Sequence, residues 1–422
     1  MPSAKRVLWL IAIAELLAMS LWFSGTAVLP QLTAEWHAGL GVTSWLTMAV
    51  QLGFVAGALL SAIFNLPDVF SATRIFVFSC FAAAICNAAF AAVAAHHIAL
   101  ALLFRFVTGL LLAGVYPTGM KILTGWYRNG RGLALGILVG ALTVGSALPH
   151  AVHAFGGLPW RAVVLASSGF AVLAGVVVMF GVDDGPYAAP APHFDFHQIS
   201  QAVRNRRLRL ANFGYLGHMW ELYSMWGWIT ILLAASREAA SPSALELASF
   251  AAIAAGAIGC VWAGWASDRA QHQPSAGRIR RRSRVTIWAM AVSGSCCVLA
   301  ALALHHFAAL VGIALVWGVA VVADSAQFST IVSEVSDQRY VGTALTMQTA
   351  LGFLLTTVSI RVIALIAARY GWSVAAAAMG IGPLLGIVAM LRLERAAAVS
   401  DPKGDRVVPS LARPKAGRAR SG

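Results

Sequence analysis

The sequence predicts an all-α integral membrane protein of twelve transmembrane helices arranged as two parallel six-helix repeats. Three observations predict it. Of 422 residues, 59% are hydrophobic and 11% charged, more apolar surface than one globular core hides. Apolar runs of about 20 residues, the length that crosses roughly 30 Å of hydrocarbon, recur from end to end. Finally, Glu15-Leu-x-x-Met19-x-x-Trp22 returns 206 residues later as Glu221-Leu-x-x-Met225-x-x-Trp228.

The spans read as 7–30, 42–64, 75–94, 97–119, 132–154, 160–181, 208–234, 244–266, 285–304, 307–329, 342–367 and 372–392. The first is too long and continuous for a cleaved signal peptide. Gly132-Leu-Ala134-Leu135 opens span five and Gly342-Thr-Ala344-Leu345 opens span eleven, 210 residues apart. Six spans separate the members of each pair, and an even number preserves direction, so the halves are parallel. The chain thus divides into a first half (1–181), a linker (182–206) holding the Pro- and Ala-rich stretch from Asp183, a second half (207–395), and a basic tail (396–422) whose composition predicts disorder.

A formal net charge of +14 would suggest nucleic acid in a soluble protein. Here its distribution explains it. One face of the span pattern, with both termini, carries 25 of the 30 Lys and Arg; the positive-inside rule makes that face cytoplasmic, and runs such as Arg278 to Arg284 become orientation signals that touch anionic lipid. No nucleic-acid partner is expected. The five cysteines all fall inside spans, with no CxxC and no clustered His, so neither a disulfide framework nor a metal site is expected. No constellation of nucleophile, metal ligands or cofactor motif marks an enzyme, and no cofactor is expected. Arg outnumbers Lys and Ala is abundant, compatible with a GC-rich bacterial genome and an inner-membrane location.

A six-plus-six repeat with a linker on the side of the termini resembles the major facilitator superfamily of secondary transporters. Arg105-Phe-Val-Thr-Gly109 matches the family's R-x-x-x-G, and Gly264-Trp-Ala-Ser-Asp268-Arg269 matches the front of its G-x-x-x-D-R gating loop. In the first half the corresponding positions depart from that pattern: Ser61 follows Gly57 by four, with Asp68 and Arg74 displaced downstream. Span five carries Gly132, Gly136, Gly140 and Gly145, a small-residue row that lets helices approach closely; the family's exporters carry a related row with a proline where Ala141 stands. The resemblance implies a monomer that works by alternating access; nothing in the sequence resembles a phosphate-cradling G-x-x-x-x-G-K-S/T, so ATP is not expected to power it.

It also implies that spans one, four, seven and ten line a central cavity, and there the clearest intramembrane ionisable residues fall: Glu15, Arg105, Glu221 and Asp324. Such residues are costly in hydrocarbon and normally face a cavity or a partner. A poorly hydrated pocket favours the neutral form of a carboxyl, so the acids suit proton coupling. Arg105 keeps its proton and acts only as a fixed positive charge, for a carboxylate or an anionic solute. His218 stands three residues before Glu221, close enough on one face to share a proton with it. Trp220, Tyr223 and Trp226 suit a flat organic solute or a cation, with Gln51, Tyr116, Asn212 and Gln348 as polar groups and Arg361 as a second anion contact or an interfacial residue. Gly264, Asp268 and Arg269 are the gating residues.

The resulting expectation is a proton-coupled secondary transporter of a small organic solute, leaning to efflux by proton antiport. The alternative is a proton-coupled importer of a small organic or inorganic anion, akin to nitrate and cyanate porters, though the glycine- and asparagine-rich signature of nitrate porters is missing. A membrane sensor or scaffold built on a transporter fold would carry an appended soluble domain, and the short tail offers none.

Overall fold

A computed structural model describes residues 3–64, 66–127, 130–156, 158–188, 204–236, 238, 240–270, 275–336 and 341–399. Most of the linker and the basic tail lie outside them. Among the described residues the secondary structure is helical throughout, as a bilayer demands of a chain that must satisfy its backbone groups internally.

Twelve helices cross the molecule. In the first half they are α1 (Ala4–Phe23), α2 (Gly41–Ile63), α3 (Ala72–Val93), α4 (Ile98–Trp126), α5 (Arg131–Ala154) and α6 (Trp160–Gly181). In the second half they are α7 (Arg206–Ala234), then α8 (Pro242–Ala266), α9 (Gly277–Ala303), α10 (Phe307–Val335), α11 (Val341–Tyr370) and α12 (Trp372–Ala397). Eleven are long and apolar enough to span a bilayer on composition alone. The other is α7, whose Trp, Tyr, His and Glu residues lower its hydropathy; it is long enough, and most of it is buried against neighbouring helices.

Local chemistry fixes the helix starts. Ser71 accepts the backbone N–H of Arg74 ahead of α3, Asn205 accepts those of Arg207 and Leu208 ahead of α7, and Ser241 accepts that of Ala244 ahead of α8, each satisfying N–H groups that have no intrahelical partner. Several long helices are interrupted, α8 at Ala255 and α12 at Gly380 among them. The α4 ladder lapses between Leu112 and Tyr116, where Pro117 follows, and α10 breaks at Asp324. α9 begins eight residues earlier than the hydropathy alone predicts, at Gly277 against 285: Arg278 and Arg282 lie 3.2 and 3.3 Å from Glu334, and Arg284 lies 3.0 Å from Glu394. These arginines of the basic run therefore have carboxylate partners in their own half.

The halves meet along two seams, α5 against α8 and α2 against α11. The first is a backbone-to-backbone contact: a Cβ on Gly264 would lie 2.4 Å from the Gly132 carbonyl, and one on Gly136 would lie 2.7 Å from that of Cys260. Only glycine permits this approach. The span-five row divides, for Gly145 faces Leu16 of α1 within its own half.

Candidate functional site

Between the halves lies a cavity of about 300 Å³. Its roof is a cluster of rings from three helices, Phe54 of α2, Tyr223 and Trp226 of α7 and Phe353 of α11, with Trp22 of α1 packed on Phe54 at 4.9 Å between centroids. Phe54 and Phe353 pair across the seam at 4.5 Å between centroids, and Tyr223 lies 5.1 Å from Phe353 and 5.7 Å from Trp226. From there the walls run toward the side that carries both termini, past Tyr116 and Met120 of α4 and His218 of α7 to Ser61, Ser329 and Gly342 at the helix ends. The cavity opens on that side.

The opposite side is shut. Arg361 of α11 donates to the Gly41 carbonyl of α2 across the halves, while Thr26 with Thr47 at 2.8 Å and Trp228 Nε1 with the Ile360 carbonyl at 3.1 Å tie helices within the first and the second half respectively. At the far end of the α5–α8 seam Glu246 takes two histidines, His150 Nδ1 at 2.7 Å and His153 Nδ1 at 3.2 Å. Glu246, His150 and His153 were not among the residues singled out from sequence; each is unremarkable until two halves place them together.

The cavity wall includes His218. Its Nδ1 lies 2.8 Å from Asp324 Oδ1, and its Nε2 lies 3.0 Å from the Ser325 hydroxyl, so the break in α10 places a carboxylate and a hydroxyl on one imidazole. The expected pairing of His218 with Glu221 does not occur. Glu221 turns the other way, into its own half, and accepts from Ser293 Oγ (2.8 Å), Cys297 Sγ (3.2 Å) and Trp317 Nε1 (2.8 Å). Residues three apart share a broad helix face, but α9 and α10 offer Glu221 three donors there and the cavity offers none.

Glu15, its repeat counterpart, is fully buried against Gly119 of α4. Neither carboxylate oxygen has a hydrogen-bond partner among the described residues. The duplicated acids thus differ: a proton arriving at Glu221 displaces one of three donors, and at Glu15 it displaces none.

Arg105 does not pair with Glu15. Its guanidinium donates to the Leu21 and Trp22 carbonyls, to Ser24 Oγ at 3.0 Å and to Asn87 Oδ1 at 3.1 Å. Asn87 in turn donates to the Val164 carbonyl and to Ser168 Oγ, which ties α1, α3, α4 and α6 together through two side chains. Asn87 was missed in the sequence because one asparagine in an alanine-rich span reads as packing.

Four other expectations move. Trp220 faces away from the cavity and donates to the Ala378 carbonyl of α12 at 3.3 Å. Gln51 and Gln348 are buried with their amides unpartnered among the described residues, outside the cavity wall. Arg361 bridges α11 to α2 on the shut side and does not line the cavity. Tyr116, Tyr223, Trp226 and His218 do line it. The residues expected to gate lie at the α5–α8 seam: Asp268 accepts the backbone N–H groups of Gly132 at 2.8 Å and Leu133 at 3.0 Å, Gly264 packs on Gly132, and the Arg269 guanidinium sits 3.6 Å from the Trp265 ring centroid.

The sequence model of the Major Facilitator Superfamily matches residues 10–280. The chain belongs to this superfamily. Among solved structures, the fold is similar to that of a bacterial homologue of the human lysosomal transporter Spinster, described as inward-facing and unoccupied, with a TM-score of 0.69 and 14% identity over 97% of this chain and 100% of that one. No curated protein sequence matches the chain. Membership makes it a multi-pass membrane protein and a secondary transporter, not an enzyme. For a transporter of this superfamily, a cavity between the halves that is closed on one side and open on the other is one state of an alternating-access cycle.

Proposed function

We propose that the transporter moves a small organic solute with a flat apolar body, that a proton carried by His218 and Asp324 is exchanged for it, and that the net direction is export. The observation that carries this reading is His218 in the wall of an aromatic cavity, with its Nδ1 2.8 Å from the buried Asp324 carboxylate. The cavity volume lies at the small end of ligand sites. Among the described residues no arginine or lysine lines the cavity, which favours an organic solute over the small anion that Arg105 and Arg361 had suggested. Trp226 Nε1 is buried without a partner among the described residues, and it suits an acceptor group on the solute. The arginine-rich side of the termini is read as cytoplasmic, in a bacterial inner membrane, with the cavity open inward.

The test uses purified protein in liposomes with an imposed pH gradient. A panel of aromatic organic cations, organic acids and neutral aromatics is first ranked by thermal stabilisation, since a ligand of the folded state raises the melting temperature. The expected result is a hit among the aromatic cations or neutral aromatics, expelled from the compartment opposite the acid, with His218→Asn retaining solute–solute exchange but losing the response to the gradient. A best ligand that is a small anion, or a His218→Asn variant that responds to the gradient like the wild type, overturns the reading.

A further inference from the structure

On the outer surface of the second half, α7, α11 and α12 leave a groove of about 420 Å³ that shares no lining residue with the central cavity. Its walls are apolar: Leu210, Phe213 and Trp220 on α7 face Ile381, Leu385 and Val388 on α12. Its floor is set by glycine, for a Cβ on Gly217 would lie 2.4 Å from the Gly382 carbonyl. Phe213, Ile381 and Leu385 are more than half exposed, so in a membrane this groove opens to lipid.

Its length and its charge both identify an occupant. From Ile381 to Arg392 the α12 wall rises about 16 Å at 1.5 Å per residue, half of the roughly 30 Å hydrocarbon thickness, so the groove is one leaflet long. At the midplane end the Trp220 indole closes it, tied to the Ala378 carbonyl at 3.3 Å. At the other end, on the side of the termini, Arg392 is part of the lining. Arg395 lies three residues further on the same face of α12, and Arg206 and Arg209 lie four residues before Leu210 and Phe213 on the facing side of α7, spacings that keep side chains on one helical face. The acid between the two α12 arginines, Glu394, is engaged by Arg284 at 3.0 Å.

We propose that this groove binds an anionic phospholipid of the leaflet on the side of the termini, with one acyl chain between α7 and α12 and its phosphate held by Arg392 and Arg395. The unbranched chain fills an apolar slot that ends where hydrocarbon ends, and the arginines meet the headgroup where it must sit. The site is independent of the transport cavity and of the solute it takes.

Native mass spectrometry of the full chain in neutral detergent, titrated with phosphatidylglycerol or phosphatidylcholine of the same acyl chains, tests this. The expected result is one phosphatidylglycerol per chain, preferred about fivefold over phosphatidylcholine, as roughly one interfacial arginine contact supplies. Arg392→Gln with Arg395→Gln brings phosphatidylglycerol down to the phosphatidylcholine level, and Leu385→Trp, which fills the slot, weakens both lipids. The proposal is overturned by equal binding of the two lipids to the wild type, by a double variant that keeps the preference, or by a Leu385→Trp variant that binds as the wild type does. It is also overturned if glycerol phosphate competes as well as the lipid, which would make the rim a phosphate site, or if lipid merely dissolves a dimer, which would assign the groove to a second copy.

Discussion

Asp268 and Gly132 belong to opposite halves of the transporter, yet the Asp268 carboxylate accepts the Gly132 N–H at 2.8 Å and the Leu133 N–H at 3.0 Å. One half supplies the N-terminal cap of a helix in the other, placing negative charge at the positive end of its dipole. Asp268→Asn keeps the shape and loses the charge. It is expected to weaken the seam by about 1–2 kcal/mol, roughly tenfold in the balance between closed and parted. Site-resolved maleimide labelling of Cys260, which packs on Gly136 in this seam, measures it: the labelling rate rises in the variant, and an unchanged rate removes Asp268 from the gate.

The two repeat acids predict unequal sensitivity. Glu221→Gln puts an amide donor against the donors of Ser293, Cys297 and Trp317, a loss on the order of 1–3 kcal/mol. Glu15→Gln disturbs no such contact and costs under about 1 kcal/mol. Melting temperatures of the two variants at one pH compare them directly, and equal losses would contradict the contrast.

Arg105→Lys replaces a planar fork, which serves acceptors on α1 and α3 at once, with a point charge that cannot. Stability falls by about 3 kcal/mol or more, the range for breaking a buried charged network, while the affinity of whichever solute the cavity takes stays within about twofold in the fraction that folds. A variant of wild-type stability with weakened solute binding would return Arg105 to the solute site.

Asp324→Asn leaves His218 with an amide in place of its carboxylate. On the proposed function, transport driven by an imposed pH gradient falls at least tenfold, the size of effect expected when a proton-transfer group is lost, and solute–solute exchange persists. Assaying both in one liposome preparation separates coupling from binding; loss of both in parallel would make Asp324 structural.

Much of the fold was legible because membrane helices announce themselves by length and hydropathy, and the repeat by the four matched positions around Glu15 and Glu221. The site was legible residue by residue but not in its pairings. His218 and Asp324 were both singled out, yet their contact depends on a break in α10 that hydropathy does not register. Trp220 was placed with Tyr223 and Trp226 because aromatic residues crowd together in the sequence; six positions separate Trp220 from Trp226, about 120° apart around the helix at 3.6 residues per turn, so they face different surroundings. Glu246, His150 and Asn87 carry no local signature at all, since their partners lie 96, 96 and 18 or more residues away.

The α5–α8 seam is shut from Asp268 against Gly132 at one face to Glu246 against His150 at the other. Eighteen residues of helix lie between those contacts, about 27 Å at 1.5 Å each, almost the whole depth of the hydrocarbon. The molecule is therefore shaped in this state like a book held by its spine, with the covers touching at the far edge through Arg361 and apart at the near edge beside Ser61 and Gly342. In this state the solute's doorway lies wholly along the free edge, and the seam that Asp268 caps carries none of it.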